Sequence, residues 1–289
     1  MTHAEPAVRR DGSADLPLAG ARRPGEGRDP GRGPIGYLGR TFAIAGMEAQ
    51  KLLHDPTEIL TRAVQPALWL LVFGQVFTRM RAIPTGSLPY IDFMAPGILS
   101  QSVLFIAIFY GISVIWERDL GILHKFLVSP APRSALVLGK AFSAGIRGLT
   151  QGVIVYVLAI LLGVHMDWHP LSLLGVLFAV MLGAAFFSTF SLVIACLVKT
   201  RERFMGIGQI LTMPLFFASN AIYPISIMPR WLQVVSHANP LTYQVDALRA
   251  LMLAGGTSSY GVGLDLVILT AVTAIMIAVG SFLYPKIVI

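Results

Sequence analysis

From residue 58 onward the chain alternates long apolar blocks with short polar or basic stretches. A helix needs about 20 predominantly apolar residues to cross the hydrocarbon core of a bilayer. Six blocks meet or approach that length, at 58–78, 93–115, 138–164, 170–198, 205–223 and 263–284, and each is read as a transmembrane helix. The fifth is the shortest and contains Pro214, which a span tolerates where neighbouring helices satisfy the freed carbonyl. Ahead of the blocks the pattern differs. Residues 1–34 are rich in Gly, Pro, Arg and Asp, bury too little apolar surface to fold, and are expected to be a disordered tail without a cleaved leader. Residues 35–289 form one membrane domain. Its first element places Leu38, Phe42, Ala45, Ala49 and Leu52 at helical spacing, which predicts a helix over 36–54 lying on the membrane surface or packed on the protein. Asp55-Pro56-Thr57-Glu58 then reads as a helix start, with Asp55 the cap and Pro56 in the first position.

Two connections have patterns of their own. In 116–130, Trp116, Leu120, Leu123 and Leu127 form an apolar stripe, and Glu117, Arg118, Asp119, His124 and Lys125 occupy the remaining surface. Ser129-Pro130-Ala131-Pro132 ends that helix. It reads as an interfacial anchor or as a docking surface for a soluble partner. The connection 224–262 is too long for a simple link and is apolar. Asn239 caps a helix whose first residue is Pro240, Leu241, Val245, Leu248 and Met252 form its stripe, and Asp246 and Arg249 are spaced to pair. Gly255-Gly256 end it. The segment predicts either a re-entrant helical hairpin before the last span or a helix flat on the outer surface.

Composition agrees with the pattern. Of 289 residues 55% are hydrophobic and 13% charged, against roughly a quarter charged in soluble domains. The net charge of +7 does not imply nucleic acid, because the cations lie between apolar blocks. Eighteen basic residues fall on the side of the tail and of the second-to-third and fourth-to-fifth connections, and four fall on the other. Cationic connections stay inside, so both termini are expected in the cytoplasm and the chain in the plasma membrane.

Candidate chemistry is sparse. The lone Cys196 lies in an apolar run and reads as a small buried hydrophobe. His165, Asp167 and His169 are a thin ligand set in a turn, and no metal is expected there. Ser129, Ser188 and Ser191 lack a recognisable activating base. No Gly-x4-Gly-Lys-Ser/Thr loop occurs, since Gly139-Lys140 is followed by Ala141, so the chain is not expected to hydrolyse ATP by itself. Ionisable groups are few within the spans, with Glu58, Arg62 and Asp265 near their ends. That weighs against an ion-coupled secondary multidrug transporter, the alternative reading. Phe105, Phe109, Phe186, Phe187, Phe190, Phe216 and Phe217 either line an apolar path or pack helices.

From Tyr37 to the end, the chain resembles the permease subunit of type-2 ABC exporters, close to the daunorubicin-resistance and nodulation-export permeases. The residues behind the resemblance are Gln65-Pro66 with Phe73-Gly74, then Tyr90, Phe93 and Ala95-Pro96-Gly97, then Glu117-Arg118-Asp119 with Gly121 and Pro130. Gly139-Lys140 and Gln151 follow, and then Asn239-Pro240-Leu241-Thr242-Tyr243 with Asp246 and Arg249. One departure is Ile122, where a Thr often follows the glycine. The resemblance implies six spans forming half of a dimeric permease, completed by a second copy or a related permease. It implies a separate cytoplasmic ABC ATPase that holds the ATP and Mg, with no cofactor on this chain. Glu117, Arg118, Asp119, Gly121, His124, Lys125 and Pro130 would belong to a coupling helix seated in that ATPase. Asn239, Pro240, Tyr243, Asp246 and Arg249 would shape an external hairpin gate. The expected activity is outward movement of an amphipathic drug, a lipid or a lipid-linked glycan.

Overall fold

The computed structural model describes residues 56–80, 83–86, 88–120, 133–198 and 200–284. The expected tail 1–34, the surface helix 36–54 and Gly121, His124, Lys125 and Pro130 lie outside the described residues. Among the described residues every regular element is helical, joined by one isolated antiparallel bridge between Met166 and Leu253. In chain order, α1 (Pro56–Leu68) runs through a π-helical stretch (Trp69–Gly74) into α2 (Gln75–Met80). Then come α3 (Tyr90–Asp119), α4 (Arg133–Leu161), α5 (Pro170–Leu197) and α6 (Arg201–Phe217). A 3-10 turn (Ile225–Ile227) leads to α7 (Arg230–Ala238), α8 (Pro240–Met252) and α9 (Val262–Leu283).

Four helices, α3, α4, α5 and α9, are long and apolar enough to cross a membrane. The first and fifth expected blocks are less regular. The π stretch divides the first, and α6 has 17 residues, about 25 Å at 1.5 Å per residue, the lower end of the length of a membrane-crossing helix. Pro66 explains part of the first irregularity. Proline has no N–H, so the carbonyl four residues back loses its helical donor. That carbonyl belongs to Arg62, and the Gln151 side-chain amide of α4 donates to it at 3.2 Å. A side chain from another helix thus satisfies a polar group that apolar surroundings would otherwise leave unpaired.

Two sequence expectations need correction. Residues 116–119 are not the start of a separate loop helix but the last turn of α3, which ends at Asp119 against the expected 115. No proline or glycine interrupts 112–120, so the helix continues past the apolar run. Arg147, grouped by sequence with the cations of the second-to-third connection, lies fourteen residues from either end of α4.

α5 lies at the centre and packs on α3, α4, α8 and α9. Small residues bring the axes close, as is usual between membrane helices. A Cβ at Gly183 would overlap the Gln244 amide, and one at Gly111 would overlap the Ser191 hydroxyl, which donates to the Ile108 carbonyl. α9 is peripheral and turns Leu264, Val267, Ile275 and Phe282 outward, as α4 does Val153, Val157 and Leu161. Surfaces this apolar match lipid or another hydrophobic partner. α8 is the opposite case. Enclosed by α3, α5 and α9, it buries Leu241, Val245 and Leu248 and also Thr242, Asp246 and Arg249. A helix flat on the surface would leave that polar face in water.

Candidate functional site

Three polar constructions stand out in this apolar bundle. The first joins four helices at one end. Lys140 of α4 donates to both carboxylate oxygens of Glu117 at 2.8 and 2.7 Å, in a half-buried setting where such a pair is screened less than at the surface. Arg118 donates to the Val198 carbonyl at the end of α5, at 3.3 Å. Asp119 accepts from the Arg201 guanidinium at the start of α6, at 3.1 and 2.9 Å. The Arg201 guanidinium also lies over the Trp116 ring, 3.9 Å from its centroid, a favourable cation–π contact. The last turn of α3 therefore clasps the ends of α4, α5 and α6. Charge patterning suggested that Glu117, Arg118 and Asp119 face outward. Their partners Lys140 and Arg201 come from distant parts of the chain, and no local spacing marks them.

Beside the clasp, α1, α3 and α4 line an open cavity of about 760 Å³. Its walls include Phe105, Ile106, Phe109, Tyr110, Ile112 and Trp116 from α3, with Arg62 and Gln65 from α1 and Arg147 and Gln151 from α4. Phe105 and Phe109 pack at 6.1 Å between centroids. The Arg147 guanidinium lies 5.2 Å from the Tyr110 ring centroid. Of the other phenylalanines, Phe186, Phe187 and Phe216 are buried in the core, Phe190 packs against it and Phe217 is exposed.

The third construction is at the opposite end, around the fully buried Asp246. Its carboxylate accepts from Asn220 Nδ2 (3.1 Å), the Ser258 hydroxyl (3.0 Å), the Ser259 N–H (2.5 Å) and hydroxyl (3.2 Å), and the Tyr260 N–H (3.3 Å). Arg249 Nη1 is 3.7 Å away. Arg249 in turn donates to the Asn220 carbonyl at 2.6 Å and stacks on Phe93, 3.8 Å from its centroid. The expected i, i+3 pair is present, within a larger knot that ties α8 to α3, to the 218–224 segment and to the 253–261 loop. Ser258 extends the knot to Asp265 of α9 at 2.7 Å. Asn239 caps α8 by accepting from the Leu241 N–H at 3.0 Å and donates to the Leu215 carbonyl of α6 at 2.6 Å. Tyr243 donates to the His237 carbonyl at 2.7 Å, closing the turn made by Asn239-Pro240. A Cβ on Gly97 would overlap the Ala221 backbone, so this glycine permits α3 to meet the 218–224 segment.

The same end holds the histidines raised by sequence. His165 Nδ1 lies 3.0 Å from Asp92 Oδ2, while Asp167 accepts from the Ser172 hydroxyl at 2.6 Å and the His169 N–H at 2.9 Å. Those two bonds hold the Asp167 carboxyl below the usual carboxylate range and brace the turn that leads into α5. Sequence reasoning missed Asp92, Asn220, Ser258 and Arg147, and read Arg62 only as a charge near the end of a span. Only Arg147 had a legible signal, a charge in the middle of an apolar block.

The profile of the family described as ABC-2 type transporter matches residues 40–253. Relatives resemble the chain over most of its length. It is 28% identical over 217 residues, 74% of each chain, to a Cyanophora paradoxa protein with the provisional name transport permease ycf38. It is 26% identical over 231 residues to the daunorubicin resistance ABC transporter permease protein DrrB1 of Streptomyces coeruleorubidus, covering 80% of this chain and 81% of that one. The inner membrane transport permease YadH of Escherichia coli K12 is 24% identical over 188 residues, 63% of this chain and 70% of its own.

Proposed function

This chain belongs to the ABC-2 type transporter family, and from that premise we propose that it is the membrane subunit of an ATP-driven exporter. It spans the plasma membrane six times, counting α1–α2 and α6 with the four longer helices, with both termini in the cytoplasm. Residues 35–289 form the permease domain, behind a disordered cytoplasmic tail at 1–34. The α7–α8 pair is a re-entrant hairpin on the outer side. Two permeases, copies of this chain or related ones, enclose the path, and a separate cytoplasmic ABC ATPase binds ATP and Mg and supplies the energy. The cargo is an amphipathic drug, a lipid or a lipid-linked glycan.

The observation that supports this most is the clasp. A partner pushing on the segment beyond Asp119 would move α3 together with α4, α5 and α6, because Glu117, Arg118 and Asp119 bind all three. Hydrolysis in a docked ATPase would thereby become a rigid-body movement of the bundle. Glu117, Arg118, Asp119, Gly121, His124, Lys125 and Pro130 are the coupling residues in this reading, and Asn239, Pro240, Tyr243, Asp246 and Arg249 fix the hairpin of the outer gate. The test is purification from the native host in mild detergent. An ABC ATPase that co-purifies, and is lost when residues 117–125 are scrambled, supports the proposal. A chain that purifies without one refutes it.

One observation favours the alternative, an ion-coupled carrier. Ser258 bridges two carboxylates, Asp246 and Asp265, and ionisable groups of this kind serve proton-driven transport. Proton-driven uptake in vesicles that hold this chain alone would select it.

A further inference from the structure

Ser258 meets two acids with a single hydrogen. Its Oγ lies 3.0 Å from Asp246 Oδ2 and 2.7 Å from Asp265 Oδ2, yet a hydroxyl has one hydrogen to give and two lone pairs to receive. The Gly261 N–H takes one lone pair at 2.7 Å. Were both acids ionised, one of the two carboxylate contacts would set bare acceptors against each other. Asp246 is complete as an anion, because Asn220, Ser259 and Tyr260 donate to it and Arg249 lies beside it. Asp265 is not. It is fully buried, and its Oδ1 has no hydrogen-bond partner. A buried carboxylate with an unpaired oxygen is costly, whereas a neutral acid leaves only a carbonyl unpaired. One hydrogen on Asp265 Oδ2 removes the conflict. It goes to the remaining lone pair of Ser258, whose own hydrogen goes to Asp246. The surrounding groups agree. α9 packs on α4, α5 and α8. From α8 come Asp246 and the buried Arg249. The 253–261 loop brings Tyr260, whose phenol lies 2.6 Å from His237 of α7. α5 and α9 carry no other Asp, Glu, His, Lys or Arg, and the half of α4 nearest this end adds only Tyr156. One cation therefore faces two acids, and carboxyl groups that share a buried site keep a proton between them.

We propose that Asp265, Ser258 and Asp246 form a proton-binding latch, in which neutral Asp265 donates to Ser258, Ser258 donates to Asp246, and the proton ties the first turn of α9 to α8. Loss of the proton leaves one hydrogen between two carboxylates, and the start of α9 then parts from α8 and the 253–261 loop. In the topology proposed above this end faces outward, so acidity outside holds the hairpin closed. The site itself depends neither on that topology nor on the exporter reading. The proton is held and not transported, since α5 and α9, which run from the site to the opposite end, offer no further charged group to relay it.

The test is infrared spectroscopy of the full chain in a maltoside, a detergent without carbonyl groups, with the aspartate carboxyl carbons isotope-labelled. A protonated carboxyl gives a carbonyl band that a carboxylate lacks, and the band shifts in heavy water. Expected at neutral pH is such a band that moves with the label, is lost in Asp265→Asn and bleaches as the pH is raised. No labelled band in the wild-type chain at neutral pH overturns the proposal, and so does a band that persists unchanged in Asp265→Asn. The wild-type arm needs no variant. Unfolding in mixed micelles gives a second readout. The folded state holds a proton that the unfolded state releases, so wild-type stability falls as the pH rises. Asp265→Asn keeps a hydrogen for Ser258 at every pH, and its stability should fall less. An equal fall in the two proteins overturns the latch. Neither readout involves ATP hydrolysis or transport. A missing band therefore leaves the exporter reading standing, and a chain that purifies without an ATPase leaves this proposal standing.

Discussion

Replacing Asp246 by Asn keeps the shape of the side chain and removes its charge. The carboxylate is fully buried and is surrounded by donors: Asn220 Nδ2, the Ser258 and Ser259 hydroxyls, and the N–H groups of Ser259 and Tyr260. An amide offers one acceptor where there were two, and it turns an NH2 group toward some of these donors. Arg249, itself buried, then keeps the Asn220 and Phe93 carbonyls and the Phe93 ring, none of which carries a full negative charge. Breaking a buried pair in this way costs about 3–5 kcal/mol. Arg249→Met should cost less, about 2 kcal/mol, because Asp246 keeps its neutral donors. The double variant should be less destabilised than the sum of the two by at least about 1 kcal/mol, since the residues share one network. The assay is reversible unfolding in mixed micelles with sodium dodecyl sulfate, followed by tryptophan fluorescence. An Asp246→Asn protein within about 1 kcal/mol of wild type, or strictly additive variants, would refute the view that a charged knot holds α8 in the bundle.

Three further outcomes follow from the same geometry. Glu117→Lys sets two ammonium groups against each other at the clasp and should abolish ATP-driven transport without blocking membrane insertion. The exchange Glu117→Lys/Lys140→Glu should restore transport, and normal transport by the single variant or no recovery in the double would contradict the clasp. Gln151→Leu orphans the Arg62 carbonyl and should cost about 1–3 kcal/mol. In a Pro66→Ala background, where residue 66 regains its N–H, the loss should be smaller, and micelle unfolding of the four proteins decides it. Gly97→Ala forces α3 away from the Ala221 backbone and should lower stability by about 1–3 kcal/mol, read by the same unfolding assay. The equivalent change at Gly206, where a Cβ meets nothing within 4 Å, should have little effect.

The sequence by itself determined that this protein is a helical membrane protein, where its longest helices run, and where α8 begins. These properties are local. An apolar run of sufficient length must satisfy its own backbone in lipid and therefore forms a helix, and Asn239-Pro240 starts one because the asparagine oxygen can reach the Leu241 N–H. The Asp246–Arg249 pair was legible for the same reason, since i, i+3 spacing is a property of a single helix. Tertiary structure decided which polar groups work together. Nothing near Pro66 in the chain says that Gln151 satisfies the carbonyl it frees, nothing near Glu117 names Lys140, and nothing near Asp246 names Asn220 or Ser258. Arg147 was visible as a charge in an apolar block, yet its neighbours in the chain could not assign it to a cavity shared with Arg62. Hydrophobic periodicity records which face of a helix is buried. The partner of a buried charge is fixed only when distant helices pack, because the cost of leaving that charge unpaired is met across the bundle and not along the chain.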